Sequence, residues 1–490
     1  MSANGTLGPA LARDLRETVG DDGLITDPAA LLVYETDGLT AHRQRPLAVI
    51  MPRGTAQVSA VVRALNGAGV PFVPRGAGTG LSGGATALEG TVVLSLARMN
   101  RILHLDAPNR RARVEPGVVN ARLTASARPH GLYYAPDPSS QTVCTIGGNV
   151  AENAGGPHCL KHGVTLNHIL GLTVVLPDGE VIELNQPAGD GALDLLGVFV
   201  GSEGTFGVAT EIVVRLSKLP ERVETLLALF DETRDATEAV SAIIAAGLFP
   251  SALEMVDRLA IQAVEQSVYA AGMPTDVAAA LVIEFDGANA GPDADASVAR
   301  KLCLEHGARE VTRAANEAER LKLWNARKKA FGAMGRLAPD LLVQDAVVPR
   351  SRLPDVLEQV YEIAARNGFR VCNTFHAGDG NLHPCIPFDR RSEDEVRRVD
   401  AGQREIMEAC IAAGGTITGE HGVGLDKRQY MPLVFGDLEM QAMCEVRRAF
   451  NPRGMANPSK VLPIRVCREW IGPATSRVDP DATVAGGGVT

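Results

Sequence analysis

Two short motifs in the second half of the chain carry side chains that suit a metal ion. His376 and His383 lie at the two ends of a Gly-Asp-Gly-Asn stretch, which is typical of a tight turn between strands. Two imidazoles facing each other across such a turn supply two ligands to a divalent metal. Glu420 adds a carboxylate, and His421 follows it in a Gly-Glu-His-Gly setting. Two histidines and one carboxylate leave coordination positions open for a substrate, so we interpret His376, His383 and Glu420 as metal ligands.

Three glycine-rich stretches in the first half predict one extended ligand. Residues 74–84 follow an apolar run and hold five glycines in their last nine positions, and residues 145–156 and 201–208 repeat the glycine-dense pattern with hydroxyl and amide side chains. Glycine lets backbone N–H groups approach a diphosphate and adopts the positive φ angles that an anion-binding loop needs. The first stretch is neither a Walker loop nor a GxGxxG that opens a long helix. The three together favour a ligand contacted along its whole length.

Composition excludes several classes of function. The chain has 490 residues, enough for at least two domains, with a net charge of −10 and only 4% aromatic residues. An acidic chain without a basic block argues against nucleic acid as a partner. Eight scattered cysteines without a CxxC do not predict a disulfide framework or a zinc ribbon, and their spacing suits no iron–sulfur cluster. No run of about 18 apolar residues predicts a transmembrane helix.

The elements that must position these motifs differ between the two halves. From residue 46 to 216, short strands alternate with helices, including helices predicted over 55–65 and 120–128 and a hairpin around Pro177-Asp178-Gly179. After Leu219-Pro220 the units lengthen, which predicts an α+β domain with an antiparallel sheet. Its predicted helices include residues 257–271 and 393–413. A last amphipathic helix is predicted over 437–450, and residues 473–490 are predicted to be disordered.

In their order and spacing, the three glycine-rich stretches resemble the FAD-binding domain of the vanillyl-alcohol-oxidase family of flavoproteins. The resemblance implies that the first stretch wraps the pyrophosphate and that Ile146-Gly147-Gly148-Asn149 passes near the flavin. Some members attach flavin through a histidine in the first stretch, and Thr79 without a histidine there implies noncovalent FAD. The implied FAD-binding residues are Arg75, Gly76, Ala77, Gly78, Thr79, Gly80, Ser82, Pro136, Asp137, Ser140, Gly147, Gly148, Asn149, Asn153, Glu203, Gly207, Ile212 and Asn457.

Residues 323–328 and 457–463, with the histidine motifs, extend the resemblance to FAD-linked D-2-hydroxy acid dehydrogenases, and most of all to the flavin subunit of glycolate oxidase. It implies an α+β fold: a PCMH-like FAD-binding domain of two α+β subdomains, plus a cap domain whose antiparallel sheet is flanked by helices. The implied domains are residues 1–218 for FAD, 219–430 for the substrate and metal, and 431–465 returning to the FAD domain. Ser459 departs from the family, where glycine is usual.

The same resemblance implies the chemistry. His376, His383 and Glu420 would bind Zn²⁺ or a similar ion, His421 would be the catalytic base, and Arg327 would hold the substrate carboxylate through its planar fork. Without the resemblance, Arg327 reads equally well as a solvent-facing helix charge. The implied reaction oxidises glycolate or D-lactate by hydride transfer to flavin, with electrons passed to a non-nicotinamide acceptor.

Several alternatives remain open. D-lactate or D-2-hydroxyglutarate dehydrogenase activity uses the same chemistry, although Phe331 and Val343 stand where the hydroxyglutarate enzymes have polar contacts. A metal-dependent hydrolase would leave the glycine-rich stretches unexplained, and a non-catalytic assembly subunit would be expected to lose the histidines. The resemblance also implies a second flavin-type subunit and an iron–sulfur subunit as partners. We therefore expect a cytoplasmic chain that lies at the inner membrane only peripherally, through those partners.

Overall fold

A computed structural model describes residues 6–186 and 193–467. It divides into two compact units. The first contains the described residues up to Gly155, then Val164–Leu219, then the chain from Glu420 onward, and the second contains Gly156–Gly163 and Pro220–Gly419. The first unit thus resumes at Glu420, whereas the sequence analysis placed that return after residue 430. The predicted disordered tail, residues 473–490, lies outside the described residues.

The strands of the first unit form a mixed sheet and an antiparallel sheet, with a short two-stranded pair. In the mixed sheet, of order β1-β2-β4-β3, β4 pairs in parallel with both β2 and β3. The antiparallel sheet has the order β5-β6-β10-β8-β9, and β11 pairs with β7. The strands are β1 Leu24–Ile25, β2 Val49–Ile50, β3 Phe72–Arg75, β4 Val92–Ser95, β5 Ile102–Asp106, β6 Arg111–Val114, β7 Leu132–Tyr133, β8 Ile169–Val175, β9 Val181–Asn185, β10 Val208–Arg215 and β11 Ser217–Lys218.

Helix Thr55–Ala68 shows how the sequence builds this unit. Val58, Val61 and Leu65 recur at helical spacing and are fully buried against the mixed sheet. The helix ends at Gly69, whose φ of 66° is left-handed and favours glycine. The other α-helices of the unit are Pro9–Val19, Pro28–Leu31, Asn120–Ala127, Ile146–Glu152, Leu195–Phe199, Met431–Val434 and Asp437–Phe450.

The second unit is built on a seven-stranded sheet of order β15-β12-β14-β13-β18-β20-β16, in which every pair is antiparallel. Its central strand β13 is buried at all six positions, as expected for a strand covered on both faces. A second, two-stranded pair joins β17 and β19. The strands are β12 Arg222–Phe230, β13 Ala252–Asp257, β14 Ala279–Gly287, β15 Ala308–Arg313, β16 Asp340–Val343, β17 Ala346–Val347, β18 Cys372–Phe375, β19 Asn381–Leu382 and β20 Pro384–Phe388.

Along the sequence, α-helices precede and follow the strands of this sheet. The α-helices of the second unit are Cys159–His162, Thr233–Ala245, Arg258–Glu265, Gly291–Glu305, Glu317–Lys328, Ala330–Met334, Leu353–Asn367 and Glu393–Ala412. Most agree with the predicted elements, but the helix predicted to reach residue 271 ends at Glu265. The Glu265 carboxylate there accepts the N–H groups of Ala271 and Gly272, which stabilises the turn that follows instead of further helix.

One disulfide, Cys444–Cys467, is present among the described residues. It links helix Asp437–Phe450 to the last described residue. The cysteine spacing gave no indication of it, since 23 positions of sequence separate the two partners. No helix among the described residues is long and apolar enough to cross a membrane.

Candidate active site

The two histidines of the first motif are brought together in the second unit as the turn predicted. Phe375 ends β18, and the backbones of His376 and Asn381 exchange hydrogen bonds of 3.2 Å in each direction, which closes the turn. Gly380 has a φ of 79°, and a Cβ there would lie 2.2 Å from the carbonyl oxygen of Val348. The His376 and His383 rings are therefore fixed 5.1 Å apart between centroids, at an angle of 86°.

The ring nitrogens of both histidines fit a metal site. Nδ1 of His376 lies 2.8 and 2.9 Å from the two carboxylate oxygens of Glu254, and Nδ1 of His383 lies 3.2 Å from the carbonyl oxygen of Gln344. Because these partners only accept, each Nδ1 carries the proton, and each Nε2 keeps its lone pair. This arrangement is the one by which proteins orient metal-binding histidines. The donor set of His376 and His383 therefore suits Zn²⁺.

Arg327 is buried, which rules out a solvent-facing helix charge. It lies in the last turn of helix Glu317–Lys328, is 1% exposed, and places Nη2 2.5 Å from an oxygen of Glu254. Its Nε and Nη1 have no hydrogen-bond partner within the described part of the chain. A buried guanidinium with unused donors is suited to a carboxylate ligand. We call His376, His383, Arg327 and Glu254 the histidine–arginine site.

Helix Glu317–Lys328 is held in place by a second buried carboxylate, Glu284 on β14. It accepts hydrogen bonds from Trp324 Nε1 at 2.6 Å and from Arg320 Nη1 at 3.1 Å, both one or two turns before Arg327. Thr225 and His158 complete its environment. Burial opposes ionisation of Glu284, but these partners, His158 first, outweigh it and lower its pKa to about 2.

Glu420 and His421 belong to the first unit, and the second unit ends at Gly419, the residue before them. Asp345 accepts Thr418 Oγ1 at 2.7 Å and the N–H of Gly419 at 3.0 Å, so the chain is anchored up to the residue before Glu420. Glu420 Oε1 and His421 Nε2 lie 3.8 Å apart, and each side chain is 13% exposed.

The first unit brings the three glycine-rich stretches together. A Cβ on Gly76 would lie 2.4 Å from Thr145 Oγ1, one on Gly84 2.9 Å from Glu152, and one on Gly204 3.1 Å from Pro74. Residues 74–84, 145–155 and 201–208 therefore form one surface, which we call the glycine cradle. Thr145 begins helix Ile146–Glu152 by accepting the Gly148 N–H.

The cradle also fits a polar ligand in its unused groups. Ser82 Oγ, Ser202 Oγ and Asn457 Oδ1 are buried without a hydrogen-bond partner among the described residues. Buried polar atoms are rarely left unpaired in folded proteins, so these atoms indicate a bound group that supplies partners. Glycine-lined backbone together with such atoms suits a dinucleotide such as FAD.

The remaining predicted FAD-binding residues fall into two sets. Several lie in the cradle stretches themselves, with Asn153 at a φ of 50°, and the Arg75 side chain is committed to the protein because its Nη1 donates to the Ala85 carbonyl oxygen. Others have their side chains committed to the protein: Ile212 is fully buried in β10, and Asn457 Nδ2 donates to the carbonyl oxygens of Gly84 and Glu203. The structure places Arg75, Gly76, Ala77, Gly78, Thr79, Gly80, Ser82, Pro136, Asp137, Ser140, Gly147, Gly148, Asn149, Asn153, Glu203, Gly207, Ile212 and Asn457 in the first unit.

The Glu203 carboxylate has a partner that the sequence analysis did not foresee. It accepts the N–H groups of Val423 at 2.7 Å and Gly424 at 2.8 Å, two and three residues after His421. Burial raises the pKa of Glu203, and those two N–H groups oppose the rise. Its carboxylate thus holds the His421 loop rather than facing outward. Burial, with Glu203 next, also raises the pKa of the adjacent Glu152 well above its ordinary value.

Glu254 was missed by sequence reasoning. It is buried in strand Ala252–Asp257 between Leu253 and Met255, and the one signal in the sequence was a charged residue flanked by apolar residues, which conflicts with burial. Buried carboxylates are rare unless they are paired, so that contradiction pointed to a functional partner. Gln344 and Asp345, which contact His383 and Gly419, carried no comparable signal.

Comparisons with known proteins agree with this geometry. A model of the C-terminal domain of FAD-linked oxidases matches residues 219–461, and a model of an FAD-binding domain matches residues 46–185. The chain is 44% identical over 458 residues to the glycolate oxidase subunit GlcD of Escherichia coli (strain K12), covering 93% of this chain and 92% of that relative. The chain belongs to the FAD-linked oxidase family. The resemblance inferred from the sequence and the prediction of FAD are thereby confirmed.

Other relatives of this FAD-linked oxidase carry two functional names. The glycolate oxidase subunit GlcD of Bacillus subtilis (strain 168) is 40% identical, covering 92% of this chain and 97% of the relative. The D-lactate dehydrogenase of Anaerostipes hadrus is 33% identical, covering 86% and 90%. Among solved structures, p-cresol methylhydroxylase with substrate bound has a TM-score of 0.78 at 16% identity, covering 93% of this chain and 97% of that one. This structural similarity to p-cresol methylhydroxylase shows the fold alone and confirms the predicted flavoprotein fold class.

Proposed function

We propose that this chain oxidises a small 2-hydroxy acid, glycolate or D-lactate, to the 2-oxo acid, with noncovalent FAD as the hydride acceptor. The observation that carries the proposal is Arg327, a buried guanidinium with unused donors, held by the same carboxylate as a metal-binding histidine. The names of the relatives, glycolate oxidase subunit and D-lactate dehydrogenase, support the same substrate class.

The chain's own residues divide the work of the reaction. Arg327 binds the substrate carboxylate and thereby orients C2. His376, His383 and Glu420 would hold a divalent metal, which we propose to be Zn²⁺. When bound, the metal would lower the pKa of the C2 hydroxyl, and FAD would supply the acceptor for the hydride. His421 takes the hydroxyl proton on an imidazole nitrogen, so loss of this proton and of the C2 hydride together convert the alcohol to the 2-oxo group, an aldehyde from glycolate and a ketone from D-lactate.

The residues near the histidines favour a short substrate. Phe331 packs edge-on to His383 at 6.1 Å between ring centroids, and Val343 is buried. Neither side chain offers a hydrogen bond to a second carboxylate, so D-2-hydroxyglutarate is disfavoured. A metal-dependent hydrolase is disfavoured as well, because such an enzyme has no use for an FAD-binding domain.

We also propose that the chain works with partners. Two relatives are named as subunits of glycolate oxidase, which supports an assembly with a second flavin-type subunit and an iron–sulfur subunit. The electrons would leave FAD through that assembly to a non-nicotinamide acceptor. We propose a cytoplasmic location, peripheral at the inner membrane through those partners.

The visible spectrum of the purified protein tests the proposal. Flavin absorbance should bleach on anaerobic addition of glycolate or D-lactate, and persist with L-lactate and D-2-hydroxyglutarate. Elemental analysis of the same sample should find one divalent metal per chain, and His383→Ala should lose it. A flavin that no 2-hydroxy acid reduces would refute the proposed reaction, and unchanged metal in the His383→Ala variant would refute that ligand.

A further inference from the structure

We infer that Glu254 is a positioning residue that couples the metal ligand His376 to the substrate-binding Arg327. This inference rests on the proposed function and extends it to a residue to which that function gives no part in binding the metal, the substrate or FAD. Its basis is that one carboxylate serves two groups with different tasks, His376 at 2.8 and 2.9 Å and Arg327 at 2.5 Å.

The sheet register dictates the first of these contacts. Strand β13 pairs with β18 in antiparallel fashion, with Met255 opposite Phe375 and Val256 opposite Thr374. The paired residues end there, and the same register continued by one residue would place Glu254 opposite His376. Directly opposed residues lie about 5 Å apart at Cβ, which is close enough for a carboxylate to reach an imidazole nitrogen. The His376–Glu254 contact is therefore a property of the fold.

The second contact comes from a different element. Arg327 approaches from helix Glu317–Lys328, which Glu284 holds through Trp324 and Arg320. Glu254 thus joins a strand that carries the metal ligand to a helix that carries the anion-binding group. Because Glu254 is 0% exposed and Arg327 1% exposed, solvent cannot substitute for either partner.

A plain counter-ion for Arg327 would explain the ion pair alone. It would not explain why both carboxylate oxygens lie within 2.9 Å of His376 Nδ1. That contact keeps the proton on Nδ1 and directs the Nε2 lone pair toward the metal, which is the recognised role of carboxylates behind metal-binding histidines. Loss of the carboxylate is therefore expected to weaken metal binding as well as substrate binding.

Glu254→Gln separates these roles. Its amide has one acceptor oxygen in place of two, and its NH₂ must therefore face a donor, His376 Nδ1 or Arg327, that the carboxylate accepts from. We expect Zn²⁺ affinity of the metal-stripped protein, measured by competition with a chromogenic chelator, to fall about 10- to 100-fold. Flavin content and absorbance should stay at the wild-type level.

Two further variants control for the charge of Arg327. Arg327→Gln keeps the Glu254–His376 contact and should retain Zn²⁺ affinity within about twofold while losing substrate affinity. Glu254→Gln/Arg327→Gln removes the unpaired cation, which also protects folding if Glu254→Gln alone is unstable. The double variant should bind Zn²⁺ as weakly as Glu254→Gln.

Glu284→Gln is the matched control for loss of a buried carboxylate in the same sheet. None of the contacts we describe for Glu284 involves His376 or Arg327, so we expect this variant to keep wild-type Zn²⁺ affinity. Wild-type affinity in Glu254→Gln, or recovery of affinity in the double variant, would overturn the coupling role. A wild-type protein that binds no Zn²⁺ would overturn this inference together with the metal assignment. Flavin bleaching of the wild type by a 2-hydroxy acid tests the proposed reaction independently.

Discussion

The glycine cradle and the histidine–arginine site are both suited to charged ligands, but they are built in opposite ways. The cradle removes side chains, so that backbone comes close to whatever lies on it. At Gly76, Gly147 and Gly204 even a methyl group would meet a neighbouring atom within 3.1 Å. The histidine–arginine site instead adds buried charge, with Glu254 and Arg327 almost fully excluded from solvent.

This difference predicts which kind of substitution should disrupt each region. The cradle should be sensitive to substitutions that add a side chain to a glycine. The backbone that must move to accommodate the side chain is shared by three loops. The histidine–arginine site should be sensitive to removal of one charged side chain, because the other charge then stays buried without its partner. Substitutions in the cradle should therefore cost cofactor, and those around the histidine–arginine site should cost metal, substrate or stability.

Gly147→Ala is expected to have the largest effect on the cradle. A Cβ at this position would lie 2.5 Å from Cβ of Pro116, whose ring cannot turn away, and 3.0 Å from the Pro116 carbonyl oxygen. The start of helix Ile146–Glu152 must therefore shift relative to Pro116, and the cradle residues at that end of the helix are displaced. We expect the variant to purify without FAD and to lose all activity, as measured by flavin absorbance per chain. A folded, fully yellow Gly147→Ala protein would contradict the assignment of the cradle.

His421→Ala sharpens the comparison because it should spare both binding regions. The variant should keep its FAD and its Zn²⁺ but reduce flavin about 10²- to 10⁴-fold more slowly, the usual contribution of a general base. Stopped-flow bleaching with saturating glycolate or D-lactate measures this rate directly. Wild-type bleaching rates would remove His421 from the base role, while loss of FAD would show that the loop itself had been disturbed.

The regions also differ in how far the sequence could predict them. The turn between His376 and His383 is local, since its Gly-Asp-Gly-Asn residues encode it directly, and helix Asp437–Phe450 follows its own apolar period. The three glycine-rich stretches were predicted to share one ligand because glycine density is visible in the sequence. Each of these signals resides within a dozen or so neighbouring residues.

The partners of the site could not be predicted in the same way. Glu254 meets His376 through the register of two strands 122 positions apart, and Glu203 meets Val423 at a separation of 220. A single sequence does not state which strands pair or at which register, so a charged residue in a buried strand was visible but its partner was not. Glu203 was accordingly predicted among the FAD-binding residues, with no indication that its carboxylate holds the loop after His421.

Glu284→Gln tests the buried charge behind the histidine–arginine site through pH. The pKa of Glu284 is about 2 in the folded protein, below the ordinary 4.5, so its ionised form stabilises the fold above about pH 4.5. That contribution, on the order of 3 kcal/mol, is lost as the pH falls toward 2. Wild type should exceed the variant in free energy of unfolding at pH 7, and the gap should narrow in acid. Parallel curves from pH 7 to pH 3 in denaturant titrations would contradict the ion-pair network.

Asp257→Asn provides the opposite slope in the same sheet. Burial raises the pKa of Asp257 to about 6, despite hydrogen bonds from Ala260, Tyr361 and Asn373. Wild type therefore loses stability as the pH rises from about 4 to about 6, and the Asn variant lacks this loss. The stability difference between wild type and Asp257→Asn should shift toward the variant over that range. Because Glu284 and Asp257 predict opposite pH dependences of stability, comparing the two variants distinguishes titration of each carboxylate from a general loss of stability in acid.

Gly67→Ala is the smallest expected effect and the matched control for Gly147→Ala. Gly67 lies inside helix Thr55–Ala68 in the same unit, and a Cβ there would meet no atom within 4 Å. Alanine in a helix interior is favoured over glycine by about 0.5–1 kcal/mol, so the variant should unfold at slightly higher denaturant concentration with full FAD. If Gly67→Ala lost FAD as Gly147→Ala is expected to, the first unit would be intolerant of any added methyl group. Loss of FAD in Gly147→Ala would then not identify the cradle as the FAD-binding surface, because that conclusion requires the position of the added methyl group to matter.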